Sequence, residues 1–598
     1  MNAEIGFPVE RPVFSAPNVA QFGSDVVAET LRALDIRFIA LNPGASFRGL
    51  HDSLVNFLGN RTPQLLLCLH EEHAVAIAQG FAKVTGRAMA VAVHSNVGLF
   101  HASMAVFNAW CDRVPMIVLG ATGPVDAMHR RPWIDWIHTA RDQGAVVRPF
   151  VKWDDQPASP AAAREALLRA AFLAHTPPMG PVYVNLDARL QEARLTEPLA
   201  PLDVARFTPP ARVSASTQLV EAALAILRSA SKPLMLIGRV SRSAEDWNAR
   251  IRLAQALHAR VLTDLKVAAG FPTDHAAHAG PPAIFLSAQG KNAIREADAI
   301  LSLDWVDLAG TLTSACGGVP AGKIIQVSLD HLIHNGWSMD HQGFPPVDLF
   351  IAAEPDNFVH QIVAMLGDRP ATCGAGDNGN AAAADTGAWA SPDGDGLPHM
   401  DDLAAALRAA VGTRAASLLH LPLSWDGDAW PFRAPLDYLG SDGGGGIGAG
   451  PGIAVGAALA LVGSGRLPIA ICGDGDFLMG VTALWTAVHY RIPLLLVVAN
   501  NRSFYNDEAH QERVAQMRNR PVENKWIGQR IADPAIDIAG LARAQGARAF
   551  GPITRGAQLY DIFGQAIGCV DAGEVAVVDV ITEPTARGTQ TAVPGGRA

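Results

Sequence analysis

The stretch GDGDFLMGVTALWTAVHYRIPLLLVVANN, residues 473–501, sets an acidic turn and an Asn-Asn pair on either side of a helix-length segment. LPIAIC (467–472) is a short apolar run ending at Gly473, and PLLLVVAN (493–500) is a second. The intervening FLMGVTALWTAVHY is long enough for about three helical turns. The unit reads as strand, loop, helix, loop, strand. Parallel strands joined by a right-handed crossover end on one edge of their sheet, so Asp474 and Asn501, 27 positions apart, become neighbours there. That edge is where open α/β sheets take their ligands.

A carboxylate, an amide oxygen and the backbone carbonyl of Ser503 make an all-oxygen donor set, suited to a hard cation such as Mg²⁺ carrying a phosphate ester. Gly473 and Gly475 let phosphates approach the backbone, and N–H groups opening the next helix can hold the anion. The tripeptide GDG alone is equally what an ordinary strand-to-helix turn carries. The full spacing is more specific: GDG, an amphipathic segment and then NN resembles the diphosphate–magnesium motif of thiamine diphosphate (ThDP) enzymes. The resemblance implies Asp474, Asn501 and the Ser503 carbonyl as metal ligands, with ThDP and Mg²⁺ as cofactors.

The chain has 598 residues, enough for three or four domains. Its net charge of −10, with both signs interspersed, offers no basic footprint for nucleic acid or an anionic membrane. The six cysteines (68, 111, 316, 373, 472 and 569) include no CxxC pair, which points away from zinc or disulfides and toward a reducing cytoplasm. MNAEIGFPVERP at the start lacks a basic-then-apolar signal pattern. The most membrane-like stretch, GIGAGPGIAVGAALALVGSG (446–465), is broken by Gly and Pro and reads as a buried, closely packed helix. A soluble protein is expected.

From 20 to 195, FIALNPG, LLLCLHEE, AMAVAVHS, MIVLGATG and PVYVNLD read as strands between amphipathic helices, giving a parallel sheet covered on both faces. A Pro-containing linker (192–214) precedes a second series: KPLMLIG, ARVLTDL, AILSLDW and KIIQVSLD. The segment 370–400, rich in Gly, Ala and Asp, reads as a flexible connection. Together with the resemblance this predicts an α/β chain of three doubly wound parallel-sheet domains: pyrimidine-binding (18–192), central (214–366) and diphosphate-binding (401–588).

In LLLCLHEEHAVAIAQGFAKVTGR (65–87) a strand ends near Leu69, Glu71 stands at the ligand edge, and a helix follows. Glu71 and Glu72 would also simply favour a helix N-terminus. The first domain of ThDP enzymes carries a Glu in this context, and the spacing to GFA selects Glu71. The resemblance implies that Glu71 bonds the pyrimidine ring nitrogen and promotes formation of the ylide nucleophile. It also implies that the cofactor bridges domains from two subunits, hence a homodimer at least and an expected homotetramer. In GGGGIGAGPG (443–452) it places Ile447 beneath the cofactor, although core packing would explain an apolar residue there as well.

HSNVGLFHASMAVFNAW (94–110), GPVYVNLD (180–187), VKW (151–153) and FPTDH (271–275) look most like the benzoylformate decarboxylase branch. This implies His94 and His275 as catalytic histidines and a 2-oxo acid substrate decarboxylated through an enamine. A structural strand-end role for either histidine is the plainer alternative, and His70, His73, His101, His129 and His138 have weaker claims. Two features depart from the branch: Ala45 stands at its carboxylate-binding Ser position with Ser46 beside it, and Asn506, Asp507 and His510 replace apolar substrate contacts. A polar or smaller acyl group is therefore expected. The layout also resembles acetolactate synthase-like carboligases. LDWVDLAG (303–310) and IGRVSR (237–242) lack the pattern of FAD-binding members, so FAD is not expected. The remaining alternative is a catalytically silent ligand-binding relative.

Overall fold

A computed structural model describes residues 10–13, 19–207, 209–333, 343–367 and 396–585. Three parallel sheets follow one another along the chain. The first contains β1 (Phe38–Leu41), β2 (Gln64–Leu67), β3 (Met89–Val93), β4 (Met116–Thr122), β5 (Asp154–Asp155) and β6 (Pro181–Asp187), in the order β2-β1-β3-β4-β6-β5. The second contains β7 (Pro233–Ile237), β8 (Arg260–Leu262), β9 (Ala299–Leu303), β10 (Lys323–Val327) and β11 (Leu349–Ile351), ordered β11-β10-β9-β7-β8. The third contains β12 (Ala416–His420), β13 (Leu467–Gly473), β14 (Leu494–Asn500), β15 (Arg548–Ile553) and β16 (Val575–Ile581), ordered β12-β13-β14-β16-β15. Central strands such as β3, β4 and β14 are buried along their whole length. Helices cover both faces, which is why the strands read as apolar runs without alternation. The segment 370–400 lies outside the described residues up to 395.

Alternate residues of β1 enter different cores: Ile39 and Leu41 pack within the first domain, whereas Phe38 and Ala40 belong to a cluster that also contains Ala454, Val455 and Leu496. First and third domains thus share one core, joined by helices Glu71–Thr85 and Gly450–Leu461. Small residues permit the crossing. A Cβ on Gly80 would collide with the Ile453 carbonyl oxygen, and one on Gly456 with that of Ile77. Gly452 rests against Ala76 at a position where a Cβ would come within 2.7 Å. The expected helix within 446–465 is therefore this one, and it is buried by a neighbouring helix rather than by lipid.

Two local expectations need correction. The segment after Gly473 is two short helices, Asp474–Gly480 and Ala483–His489, because Gly480 packs directly under the Gly448 carbonyl and the Pro451 ring and the chain turns there. Strand β2 stops at Leu67, two residues before Leu69, and His70 caps the next helix by accepting from the Glu72 N–H at 3.2 Å. All five cysteines among the described residues are free, and no helix there is long and apolar enough to cross a membrane.

Candidate active site

Asp474 opens its helix directly at the end of β13, and β14 pairs alongside with Gly473 opposite Ala499. The turn after β14 therefore comes to Asp474, as the crossover reading requires. Arg502 takes a left-handed φ of 57° in that turn, a conformation that costs a non-glycine residue about 1–2 kcal/mol. Ser503 N–H donates to Asn501 Oδ1 at 2.9 Å, and Ser503 Oγ to Glu508 Oε1 at 2.5 Å. Glu508 is fully buried and also accepts from Arg530 Nε at 3.1 Å, so a charged network fixes the loop from behind.

The Asp474 carboxylate is 3% exposed, and its Oδ2 has no hydrogen-bond partner. Burial pushes the carboxyl up to about 6, against the opposing pull of backbone N–H groups at Gly475, Ser503 and Arg502. A cavity of about 310 Å³ opens beside it, lined also by Leu478, Asn500 and Arg502. An orphaned carboxylate oxygen against the turn that carries Asn501 and Ser503 suits a divalent cation, so these residues fit Mg²⁺ bearing a diphosphate. A Cβ on Gly473 would meet open space. Gly475 differs: its Cα lies against the Phe504 ring, where a Cβ would come within 2.5 Å, so packing within the chain already demands glycine there.

Ile447 is 45% exposed on the loop that leads into helix Gly450–Leu461, so it is not a core residue. Its loop is pinned on both sides. Gly448 and Gly450 N–H groups donate to Asp476 Oδ1 at 2.6 and 3.2 Å, and Gly444 N–H donates to Asn108 Oδ1 at 3.1 Å. Asp476, two residues beyond Asp474, is thus the brace that aims Ile447.

Glu71 and His94 meet at the ligand edge of the first sheet. Ser95 takes a φ of 51°, turning the chain sharply from β3 into helix Ser95–Cys111 and leaving His94 at the elbow. Ser46 Oγ lies 2.7 Å from His94 Nδ1, and His138 packs edge-on to the ring at 4.8 Å. Burial, reinforced by neighbouring His138, holds His94 below the usual imidazole range, so the ring is neutral near pH 7. Glu71 is buried beside Gly98, whose N–H donates to the His94 carbonyl at 2.7 Å. His101 Nδ1 lies 3.1 Å from Glu71 Oε2. The Glu71 helix also reaches the third domain, where Thr482 Oγ1 and His73 Nδ1 are 3.1 Å apart.

The structure therefore gathers Asp474, Asn501 and Ser503 in one place and Glu71 with His94 in another. His275 stands apart in the central domain, against Phe271 and the Ala277 N–H. Asn506, Asp507 and His510 lie on helix Tyr505–Met517, and all three are exposed. Sequence reasoning gave His101 and His138 only weaker claims, noted Ser46 only as the neighbour of Ala45, and passed over Asp476, although its place inside GDGD carried a local signal.

Comparison with known proteins follows the same division of the chain. "Thiamine pyrophosphate enzyme, N-terminal TPP binding domain" matches residues 22–146, "central domain" 220–340 and "C-terminal TPP binding domain" 424–580. The chain is 26% identical to a benzoylformate decarboxylase of Pseudomonas aeruginosa over 510 residues, covering 82% of this chain and 87% of that protein. It is 23% identical to an acetolactate synthase large subunit of Haemophilus influenzae over 497 residues, covering 80% and 82%. Among solved structures it resembles the thiamine diphosphate-dependent 4-hydroxybenzoylformate decarboxylase of Rhodococcus jostii with a TM-score of 0.75 at 23% identity, covering 94% of this chain and 99% of that one.

Proposed function

Because the chain belongs to the thiamine pyrophosphate-dependent enzymes, we propose that it decarboxylates a 2-oxo acid with ThDP and Mg²⁺ and releases an aldehyde. The observation that carries this reading is the buried, partnerless Oδ2 of Asp474 beside the Asn501 turn. Asp474, Asn501 and the Ser503 carbonyl hold the metal, and the Gly473 turn faces the diphosphate. Ile447 supports the cofactor from its braced loop, and Glu71 takes the pyrimidine nitrogen. Bound there, ThDP supplies a carbon nucleophile for the substrate carbonyl and a sink for the electrons left when carbon dioxide departs. His94, held by Ser46 and neutral at rest, takes up a proton from solvent and passes it on to the product carbon, returning to the neutral ring. His275 serves only if a second subunit carries it to the site.

The chain works in this reading as a homodimer or a larger even assembly. Leu69, Phe100, Ile447 and Met479 around the two half-sites are 44%, 57%, 45% and 55% exposed, an apolar surface that a second copy would cover. The polar residues Asn506, Asp507 and His510 favour a polar acyl group. Similarity to an acetolactate synthase supports the second reading, transfer of the same acyl carbon to another carbonyl compound. Turnover with ThDP and Mg²⁺ over a panel of 2-oxo acids separates them. Carbon dioxide with free aldehyde supports decarboxylation, acyloin supports ligation, and no turnover with any acid leaves a silent relative.

A further inference from the structure

The two carboxylate oxygens of Glu71 have different surroundings. Oε1 lies over Gly98, where an added Cβ would come within 3.0 Å, while Oε2 is 3.1 Å from His101 Nδ1. Gly98 and His101 are three residues apart on helix Ser95–Cys111, so one helical turn offers a bare patch to one oxygen and an imidazole to the other. The Glu71 side chain is 8% exposed and that of His101 57%, which makes the imidazole the solvent-side cover of the carboxylate. A carboxylate only accepts, so Nδ1 carries the hydrogen. His101 is itself backed by His70, stacked at 5.0 Å, with His73 5.3 Å beyond. Other charged or titratable groups around the carboxylate are Glu72 on its own helix and His94, with His138 and Arg131 behind it.

We propose that His101 is a positioning residue for Glu71: its Nδ1–H holds Oε2, fixes the carboxylate rotamer and leaves Oε1 to meet the pyrimidine nitrogen. The inference rests on the reading of Glu71 as the activating carboxylate. A glutamate whose rotamer is already chosen gives up less freedom when the cofactor docks, so the hydrogen bond contributes to binding as well as to activation.

A purely structural role, stacking on His70, makes the opposite demand on replacements. In Asn the side-chain nitrogen is as many bonds from the backbone as Nδ1 is, so His101→Asn keeps the donor and loses the ring. His101→Phe keeps the ring and loses the donor. Two quantities are measured: ThDP affinity by calorimetry, starting from cofactor-free protein with Mg²⁺, and hydrogen–deuterium exchange at C2 of bound ThDP. His101→Asn should stay within about twofold of the wild type in both, whereas His101→Phe should bind ThDP about 10-fold more weakly and exchange about 10- to 100-fold more slowly, the range for one charge-assisted hydrogen bond. Wild-type behaviour of His101→Phe, or equal losses in both variants, would overturn the assignment. Glu71→Gln separates the premise from the inference. If that variant exchanges like the wild type, Glu71 is not the activator; if it is inactive in exchange while His101→Phe is normal, only His101 loses its role.

Discussion

Replacing Asp474 by Asn should stabilise the cofactor-free chain while removing most of its affinity for ThDP with Mg²⁺. The carboxylate is 3% exposed, and burial raises its pKa from 3.8 to about 6. Between those values the native state still holds a proton that the unfolded chain has released, so stability falls as pH rises through the window and stays lower above it. A rise of that size amounts to about 3 kcal/mol at pH 8. An amide has no charge to desolvate, but its N–H₂ inherits the partnerless place of Oδ2, at a cost of about 1–2 kcal/mol. The net expectation is a gain of about 1–2 kcal/mol at pH 8 that vanishes or reverses near pH 4, below the folded-state value, where the native carboxyl is protonated and its burial costs little. Urea unfolding of metal-free wild type and Asp474→Asn at pH 4, 6 and 8 reads this difference. Calorimetry at pH 8 should show ThDP binding with Mg²⁺ weakened about 100-fold, a neutral oxygen being a poor ligand for a hard cation. An Asn variant that is less stable at pH 8, or a difference that does not move with pH, refutes the desolvation argument. Tight cofactor binding by the variant takes Asp474 out of the metal site.

Three further outcomes follow from the same geometry. Gly456→Val must push helix Gly450–Leu461 away from the Ile77 carbonyl and should cost about 3 kcal/mol in urea unfolding, with weaker ThDP binding. Glu508→Ala frees Ser503 Oγ and Arg530, and Mg²⁺ affinity in the presence of ThDP should drop about 10-fold by calorimetry, since the loop is no longer fixed from behind. His94→Ala should leave ThDP affinity within about threefold but slow proton delivery after carbon dioxide loss, raising the ratio of acyloin to aldehyde in rapid-quench product analysis; an unchanged ratio returns His94 to a structural role beside Ser46.

The third domain was the most legible in sequence, because a crossover between parallel strands converts the separation of Asp474 and Asn501 into proximity by chain geometry alone. The break at Gly480 was not, since it depends on the Gly448 carbonyl and Pro451 pressing from a preceding loop. Gly475 was read as a phosphate cradle, yet Phe504 already requires it, a contact that only the folded turn reveals. Short edge strands such as β5 and β11 carry too little apolar pattern to register. The pairings of His94 with Ser46 and of Glu71 with His101 span 48 and 30 positions and join different elements, so periodicity could not announce them. Nothing in the glycine-rich run around Ile447 told that its side chain stays out of the core, which only its exposure in the folded loop reveals.

The glycine crossing of helices Glu71–Thr85 and Gly450–Leu461 also imposes an order on synthesis. Its two halves are separated by about 375 residues of chain, which a ribosome takes roughly 20–75 s to add. During that interval the first domain has its own Ile39 core but not the cluster that Ala454 and Val455 complete. The nascent protein therefore carries a bare stripe at Ala76 and Gly80 for most of its translation, a natural landing place for chaperones until its own distant helix arrives.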